Sequence, residues 1–509
     1  MDTTKSNSST NILSKTDFKL GLECEYALWY TYHNHEIQEE LSKDAQFRID
    51  EGIEVGELAQ TYFQDGVLVE KNVNFEEYLK LEKTLFEAPL RNSQYYARVD
   101  ILRKNTNSNN SFDIIEVKSS TSVKDEHVYD CAFQLYVAKS LGITINKVYV
   151  MYLNNEYVRQ GEIDSNELFI LEDVTQRCLE LLEEVEEKSA WFYELINSSS
   201  YSSFKAKYHT CKGFKHCPIS QIHYDDLKEH NIFELYRGGK KCNVLYEQYD
   251  TRHISEITQE MIGELKLNEK QHIQVRSVQE RKECINSHMI SNFLEALEYP
   301  LYFVDFETYT TAIPLHNGLK PYQRVPFQFS LHIISSKGAK PEHYEFLASE
   351  KEDPREEFIS TLHSYMNTTQ DIKGSIIVYN EGFEKGVLKE LSDFNSKYKD
   401  FVLSLNTRFV DLLVVFRSFW YYHYNQRGSC SIKAVLPCLV PYKKYSDLEI
   451  SNGSDASLEY FYSIFKYQDE EKIAKLREDL LKYCELDTQA MIDILYALEE
   501  KINFKKNER

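Results

Sequence analysis

The chain is poor in positive charge. Its 509 residues carry 59 Lys and Arg against 81 Asp and Glu, a formal net charge of −22. That balance excludes a protein that coats nucleic acid through its overall field, so any grip on a polyanion has to be local. Cysteine, at ten residues, lacks the density of a disulfide scaffold. No apolar run is long enough to span a bilayer. Together these point to a reduced, soluble, cytoplasmic protein without a membrane partner. Residues 1–16 are rich in Ser, Thr, Asn and Lys and have no apolar centre, so they read as a disordered leader rather than a signal peptide. Internal repeats and long low-complexity tracts are also absent. At this length two or three domains are expected, each able to bury a core.

What is there begins with Leu301 to Thr308, Leu-Tyr-Phe-Val-Asp-Phe-Glu-Thr, an apolar run interrupted by two carboxylates. It reads as a buried strand after Pro300. Side chains alternate along a strand, so Asp305 and Glu307 project from one face and Val304 and Phe306 from the other. Two buried like charges require a cation, and Mg²⁺ or Mn²⁺ suits oxygen ligands; the alternative is a strand end where both acids reach water. Ser375 to Asn380 is a second short strand, and Glu384 stands near the start of the helix after it. Glu471 to Lys501 reads as a long helix with Tyr483 and Asp487 four apart on one face.

This set resembles the Asp-Glu-Asp-Asp 3′→5′ exonucleases of the ribonuclease H-like class, in their tyrosine subtype, where Tyr483-Cys-Glu-Leu-Asp487 matches the last motif. The resemblance implies that Asp305, Glu307, Glu384 and Asp487 hold two metal ions for phosphodiester hydrolysis, with Tyr483 orienting the attacking water. One position departs from the family pattern: Asn380-Glu-Gly-Phe-Glu384 carries Glu where Asp is usual, one methylene longer.

Earlier in the chain, Leu20 to His33 reads as a helix and Ile53 to Phe63 as a second helix carrying Glu57. Gln94 to Leu102 and Phe112 to Ser119 read as adjacent strands, with Asp100 on the first and Glu116 and Lys118 on one face of the second. Near strand ends such groups are often simply solvated. Asp followed by Glu-x-Lys resembles the PD-(D/E)XK nuclease core, which implies metal binding by Asp100 and Glu116 and charge stabilisation by Lys118. Asp130 to Val137 resembles the Gln-x-x-x-Tyr helix of RecB-like nucleases, placing Gln134 in the site, although Tyr136 follows only two residues later. Glu57 falls near that group's upstream helical acid. The same nucleases often carry an iron–sulfur cluster on one early and three late cysteines. Here Cys24 is early and Cys211 and Cys217 are late, but His223 stands where a fourth thiolate belongs. Three cysteines and a histidine favour zinc over a four-iron cluster, and scattered buried cysteines are the plain alternative.

Asp173 to Asn197 reads as an amphipathic helix, and Ile232 to Glu298 as a polar, largely helical connector. Phe327 to Ser335 and His343 to Leu347 read as further strands, with a helix from about Pro354. Phe409 to Phe419 reads as helical, with Asp411 an acid at its start rather than a ligand. Lys433, Lys443 and Lys444 supply local cations for phosphates or a solvated loop.

The expected architecture is α/β: a leader over 1–16, a PD-(D/E)XK restriction-endonuclease-like core over 17–231, a helical connector over 232–298, and a ribonuclease H-like mixed sheet with helices over 299–503. Most of the chain resembles a bacterial family that places a RecB-like module before an Asp-Glu-Asp-Asp exonuclease module. Phe306-Glu-Thr, Ile313-Pro-Leu, Pro321-Tyr, Pro326-Phe-Gln-Phe-Ser and Ser431-Ile-Lys-Ala-Val-Leu-Pro carry that resemblance. It implies a metal-dependent nuclease acting on DNA or RNA. The competing class is a nucleic-acid-binding or scaffolding protein on decayed nuclease folds.

Overall fold

The computed structural model describes the chain except for residues 1–10, 34–41, 71–74, 82, 106–110, 200–213, 215–216, 350, 367–372 and 508–509, and the side chains at 447 and 504–507. It divides into two compact units, Met1–Asp225 with Thr311–Gln323, and Asp226–Thr310 with Arg324–Arg509. Both are α/β. No helix among the described residues is long and apolar enough to cross a membrane.

The first unit is built on a seven-stranded sheet in the order Val67–Leu68, Leu85–Arg91, Tyr95–Lys104, Ser111–Lys118, Thr144–Leu153, Phe169–Asp173, with Leu13–Ser14 added beside Tyr95–Lys104. Ser111–Lys118 and Thr144–Leu153 run parallel, so a crossover must join them, and the helix Asp125–Ser140 supplies it. That helix buries Val128, Phe133, Leu135 and Val137 on several sides, as a helix covered all round must. The helices Lys15–Glu23 and Thr175–Ile196 pack on it.

Two expectations fail here. Residues 11–16 are not leader: Leu13 is fully buried, and Ser14 and Asp17 form a reciprocal cap that starts the helix Lys15–Glu23. The helix expected over Leu20 to His33 is two helices, Lys15–Glu23 and Glu25–His33, because Cys24 takes an extended backbone between them.

The second unit carries a five-stranded sheet in the order Glu342–Leu347, Val325–Ile334, Leu301–Tyr309, Ser375–Val378, Phe409–Asp411. The first three run antiparallel to their neighbours and the last two join in parallel. Leu301–Tyr309 is therefore central, with paired neighbours on both sides. The helix Glu470–Asn507 packs across it and Val325–Ile334, fixed where Gln328 Nε2 donates to the Leu480 carbonyl at 2.8 Å.

The segment Phe409 to Phe419 departs from the helix expected. It opens as the strand Phe409–Asp411, because parallel pairing with Ser375–Val378 outweighs its local helical pattern, and only Leu413–Arg417 is helical. Asp411 ends the strand two residues before that helix and accepts from the Leu413 N–H at 3.0 Å. The span expected as a connector, 232–298, falls inside the second unit. Its short helices bury Leu245, Ile262, Val275 and Val278. Gln274 ties them together, accepting from the Tyr236 N–H at 2.7 Å and donating to the Glu234 carbonyl at 2.9 Å.

Candidate functional sites

On the central strand of the second unit, Asp305 and Glu307 share the face covered by the helix Glu470–Asn507. From that helix comes Asp487, and one carboxylate oxygen from each of the three acids lies within 4.8 Å of the other two. The helical spacing that put Tyr483 and Asp487 on one face also brings the Tyr483 side chain beside the Asp487 carboxylate. Tyr445, which no motif or spacing singles out, donates its hydroxyl to Asp487 Oδ1 at 2.6 Å.

Glu384 occupies the first turn of the helix Glu381–Phe394, outside the close triplet. It is buried, and its Oε2 has no hydrogen-bond partner among the described residues. An orphaned buried carboxylate oxygen is costly unless something binds it.

The electrostatics of this set follow from burial without neutralisation. Burial, then the neighbouring Asp487, pushes Asp305 and Glu307 well above the ordinary carboxylate range. Burial raises Glu384 to about 8. Asp487 rises to about 6, with burial opposed by Tyr445, Lys433 and Tyr483. Lys433 Nζ lies 5.3 Å from the Tyr483 ring and 5.4 Å from the Tyr445 ring. Gly453 opens the helix Gly453–Phe465 so close to the acids that a Cβ there would sit 3.5 Å from Glu307 Oε2. An all-oxygen donor set of this kind fits a hard divalent cation, Mg²⁺ or Mn²⁺.

In the first unit Asp100 and Glu116 stand on the neighbouring strands Tyr95–Lys104 and Ser111–Lys118, and Asp100 Oδ2 accepts from the Val117 N–H at 2.7 Å. Glu57, Asp100 and Glu116 all line one cavity of about 460 Å³. Glu116 is fully engaged by this chain: Lys15 and Lys118 both donate to its Oε1 at 2.7 Å and Gln134 donates to Oε2 at 2.5 Å. Lys118 also meets Asp130 at 2.6 Å, and Lys19 approaches the same Asp130 oxygen at 3.5 Å.

Although burial alone would raise Glu116, Lys118 and Lys15 hold it below the usual range. Asp100, beside it, is pushed up to about 7 by burial and by the Glu116 charge. The five residues expected at this site therefore converge. Tyr136 does not join them; its ring packs 5.3 Å from that of Tyr95. Lys15, Lys19 and Asp130 were not expected. The signal for Lys15 is long-range, a contact across 101 positions to Glu116.

Of the four residues expected to share a metal through sulfur and nitrogen, Cys24, Cys217 and His223 come together, with ligand atoms all within 4.8 Å. Cys217 Sγ is 3.5 Å from His223 Nδ1. Cys211 lies outside the described residues.

Residues 302–431 match a family described as a domain of unknown function, DUF2779. That match encloses Asp305, Glu307 and Glu384 and stops short of Tyr483 and Asp487. The chain is similar to the uncharacterized protein MG366 of Mycoplasma genitalium, at 27% identity over 230 residues, 40% of this chain and 32% of that protein. It is also similar to the MG366 homolog of Mycoplasma pneumoniae, at 24% identity over 247 residues, 46% of this chain and 37% of that protein. The match thus spans about a third of the length of these curated relatives.

Proposed function

We propose that the second unit is a divalent-metal-dependent 3′→5′ exonuclease of the ribonuclease H-like class, acting on single-stranded DNA or RNA. The observation that carries this reading is the largely buried triplet Asp305, Glu307 and Asp487, gathered within 4.8 Å and pushed towards the protonated form without a cation. Asp305, Glu307 and Asp487 would hold Mg²⁺ or Mn²⁺, and the buried Glu384 Oε2 supplies a further ligand from the neighbouring helix. Such ions, when bound, generate a nucleophile from water and stabilise the leaving oxygen.

The chain's own contributions are positional. Tyr483, held neutral by burial and the surrounding acids, keeps its proton and can orient a water. Tyr445 fixes the Asp487 carboxylate. Lys433 brings one positive charge to an acidic site that must receive a phosphate.

For the first unit we propose a separate PD-(D/E)XK-type nuclease centre in which Asp100, Glu116 and Glu57 face metal and substrate across the cavity. Lys118 would place charge near the scissile phosphate and Gln134 would orient Glu116. Zinc is the ion we assign to Cys24, Cys217, His223 and Cys211. A cytoplasmic setting, where these thiols stay reduced, completes the reading.

The test is incubation of the purified chain with end-labelled single-stranded and duplex DNA and RNA, with Mg²⁺, Mn²⁺ or EDTA. Stepwise shortening from the 3′ end that EDTA abolishes is the expected result. Tight binding without any shortening would overturn the enzyme reading in favour of a nucleic-acid-binding scaffold.

A further inference from the structure

On the edge of the second unit's sheet, His332 of Val325–Ile334 and His343 of Glu342–Leu347 are cross-strand partners. Their rings stack with centroids 4.4 Å apart. One nitrogen of each ring is already occupied. His332 Nδ1 lies 2.8 Å from Thr488 Oγ1, and His343 Nε2 lies 3.0 Å from Ser330 Oγ. The two hydroxyls are themselves 2.7 Å apart, so the four groups form one closed chain. This leaves His332 Nε2 and His343 Nδ1 as the nitrogens not tied to the hydroxyls. Glu485, on the same helical turn as Thr488, brings Oε1 to 3.8 Å from His343 Nδ1. One ligand atom from each of His332, His343 and Glu485 lies within 4.8 Å of the other two.

Two imidazoles with their second nitrogens tied to hydroxyls match what a metal-binding histidine requires. The outer hydrogen bond fixes the tautomer and the ring, and the remaining nitrogen is presented to the ion. Ligands at zinc distances of about 2.0–2.1 Å and tetrahedral angles stand about 3.3–3.4 Å apart. The trio therefore has to close by an ångström or so. His343 and Glu485 have side chains 24% and 50% exposed, and they can make that movement while buried His332 stays fixed.

The donor chemistry also separates this cluster from its neighbour. Two imidazoles and a carboxylate suit zinc-class ions, whereas the all-carboxylate set of Asp305, Glu307 and Asp487 suits Mg²⁺ and Mn²⁺. We propose that His332, His343 and Glu485 form a zinc-class site that clasps the edge strand Glu342–Leu347 and its neighbour Val325–Ile334 to the helix Glu470–Asn507, two residues before Asp487. Three protein ligands leave a fourth tetrahedral position for water. Occupancy ties the turn that carries Asp487 to the sheet that carries Asp305 and Glu307. The site does not depend on the exonuclease reading.

The experiment is calorimetric titration of Zn²⁺ into the chelator-stripped full chain without nucleic acid, under saturating Mg²⁺ to fill the carboxylate set. Cys24, Cys217 and His223 contribute equally in every variant, so the comparison isolates this cluster. Wild type should take up one zinc equivalent that His343→Ala lacks and that Glu485→Gln binds at least tenfold more weakly. Ser330→Ala, which removes only the hydroxyl behind His343, should weaken that equivalent by about ten- to a hundredfold. Zinc should raise the wild-type melting temperature by more than that of His343→Ala. Equal stoichiometry and affinity in wild type, His343→Ala and Glu485→Gln would overturn the proposal. Glu485 is exposed, so Glu485→Gln keeps the comparison valid if His343→Ala folds poorly.

Discussion

Glu116 of the first unit and the acid triplet of the second are handled in opposite ways. In the first, Glu116 is met by Lys15, Lys118 and Gln134, and Asp130 by Lys118 and Lys19, so the chain itself supplies the countercharge. In the second, Asp305, Glu307 and Asp487 face one another, and Lys433 is the cation among the causes that lower Glu307 and Asp487. The consequence is visible in the carboxyls: Glu116 is held below its ordinary range while Asp305 and Glu307 are driven above it. A site neutralised from within is assembled before any ligand arrives. One left acidic is completed by an external cation, whose binding then supplies what the fold leaves unbalanced.

The sharpest way to break this contrast is Asp305→Asn. Removing one charge from the unneutralised triplet at nearly constant volume should cost about 10²–10³-fold or more in 3′ trimming. Metal-free stability should be unchanged or higher, because a repulsion is relieved. End-labelled substrate and a thermal melt read both; normal trimming by the variant would remove the second unit from consideration as the exonuclease. Cleavage that remains in this background, and that Glu116→Ala lowers, reports the first unit.

Lys118→Ala makes the opposite change in the first unit, leaving Asp130 with the longer Lys19 contact and Glu116 with Lys15 as its cation beside the Gln134 amide. Breaking a buried pair from one side costs about 3–5 kcal/mol, and the remaining lysines should reduce this to about 2–3 kcal/mol. Urea unfolding gives the value, and a loss below about 0.5 kcal/mol would show that the lysine cage is not what stabilises these acids.

Acidity separates Glu116 from the acids of the second unit without mutation, whereas Asp100 of the first unit, pushed up to about 7, titrates in the same direction as the latter. Folded Asp487 and Glu384 hold protons up to about 6 and about 8, whereas the unfolded chain loses them near 4. The folded state therefore binds more protons in this window, and stability is lost as the pH rises through it. For Asp487 alone the effect is about 3 kcal/mol. Glu116 runs the other way, since its depressed value adds stability above about pH 4.3 that is lost as the pH falls below it. Between pH 5 and 8 the melting temperature of metal-free protein should fall, and saturating Mg²⁺ should flatten that slope. A slope that Mg²⁺ leaves untouched would contradict binding at the acids.

The smallest expected effect is that of Tyr445→Phe. Losing a hydroxyl donated to a charged carboxylate should weaken Mn²⁺ binding by about 1.5 kcal/mol, roughly tenfold, with little change in fold. Calorimetry with Mn²⁺ measures it, and unchanged affinity would mean that Tyr445 does not position Asp487.

Parts of both sites were legible because they depend on short periods. Asp305 and Glu307 lie two apart on a strand, Glu116 and Lys118 likewise, and Tyr483 and Asp487 four apart on a helix. Such spacings fix shared faces before any packing is known. The failures share a cause as well. Phe409–Asp411 is a strand through pairing with Ser375–Val378, more than 30 positions away, and residues 232–298 fold within the second unit through buried contacts rather than through pattern.

What the sequence determined by itself was the local placement of charge: which acids share a strand or helix face, and the shortage of cations overall. Only the tertiary structure decided which of those acids are neutralised, since Lys15 reaches Glu116 across 101 positions and Tyr445 reaches Asp487 across 42. The physical reason is that a carboxylate's energy depends on its burial and on charges within a few ångströms, and neither is a function of distance along the chain.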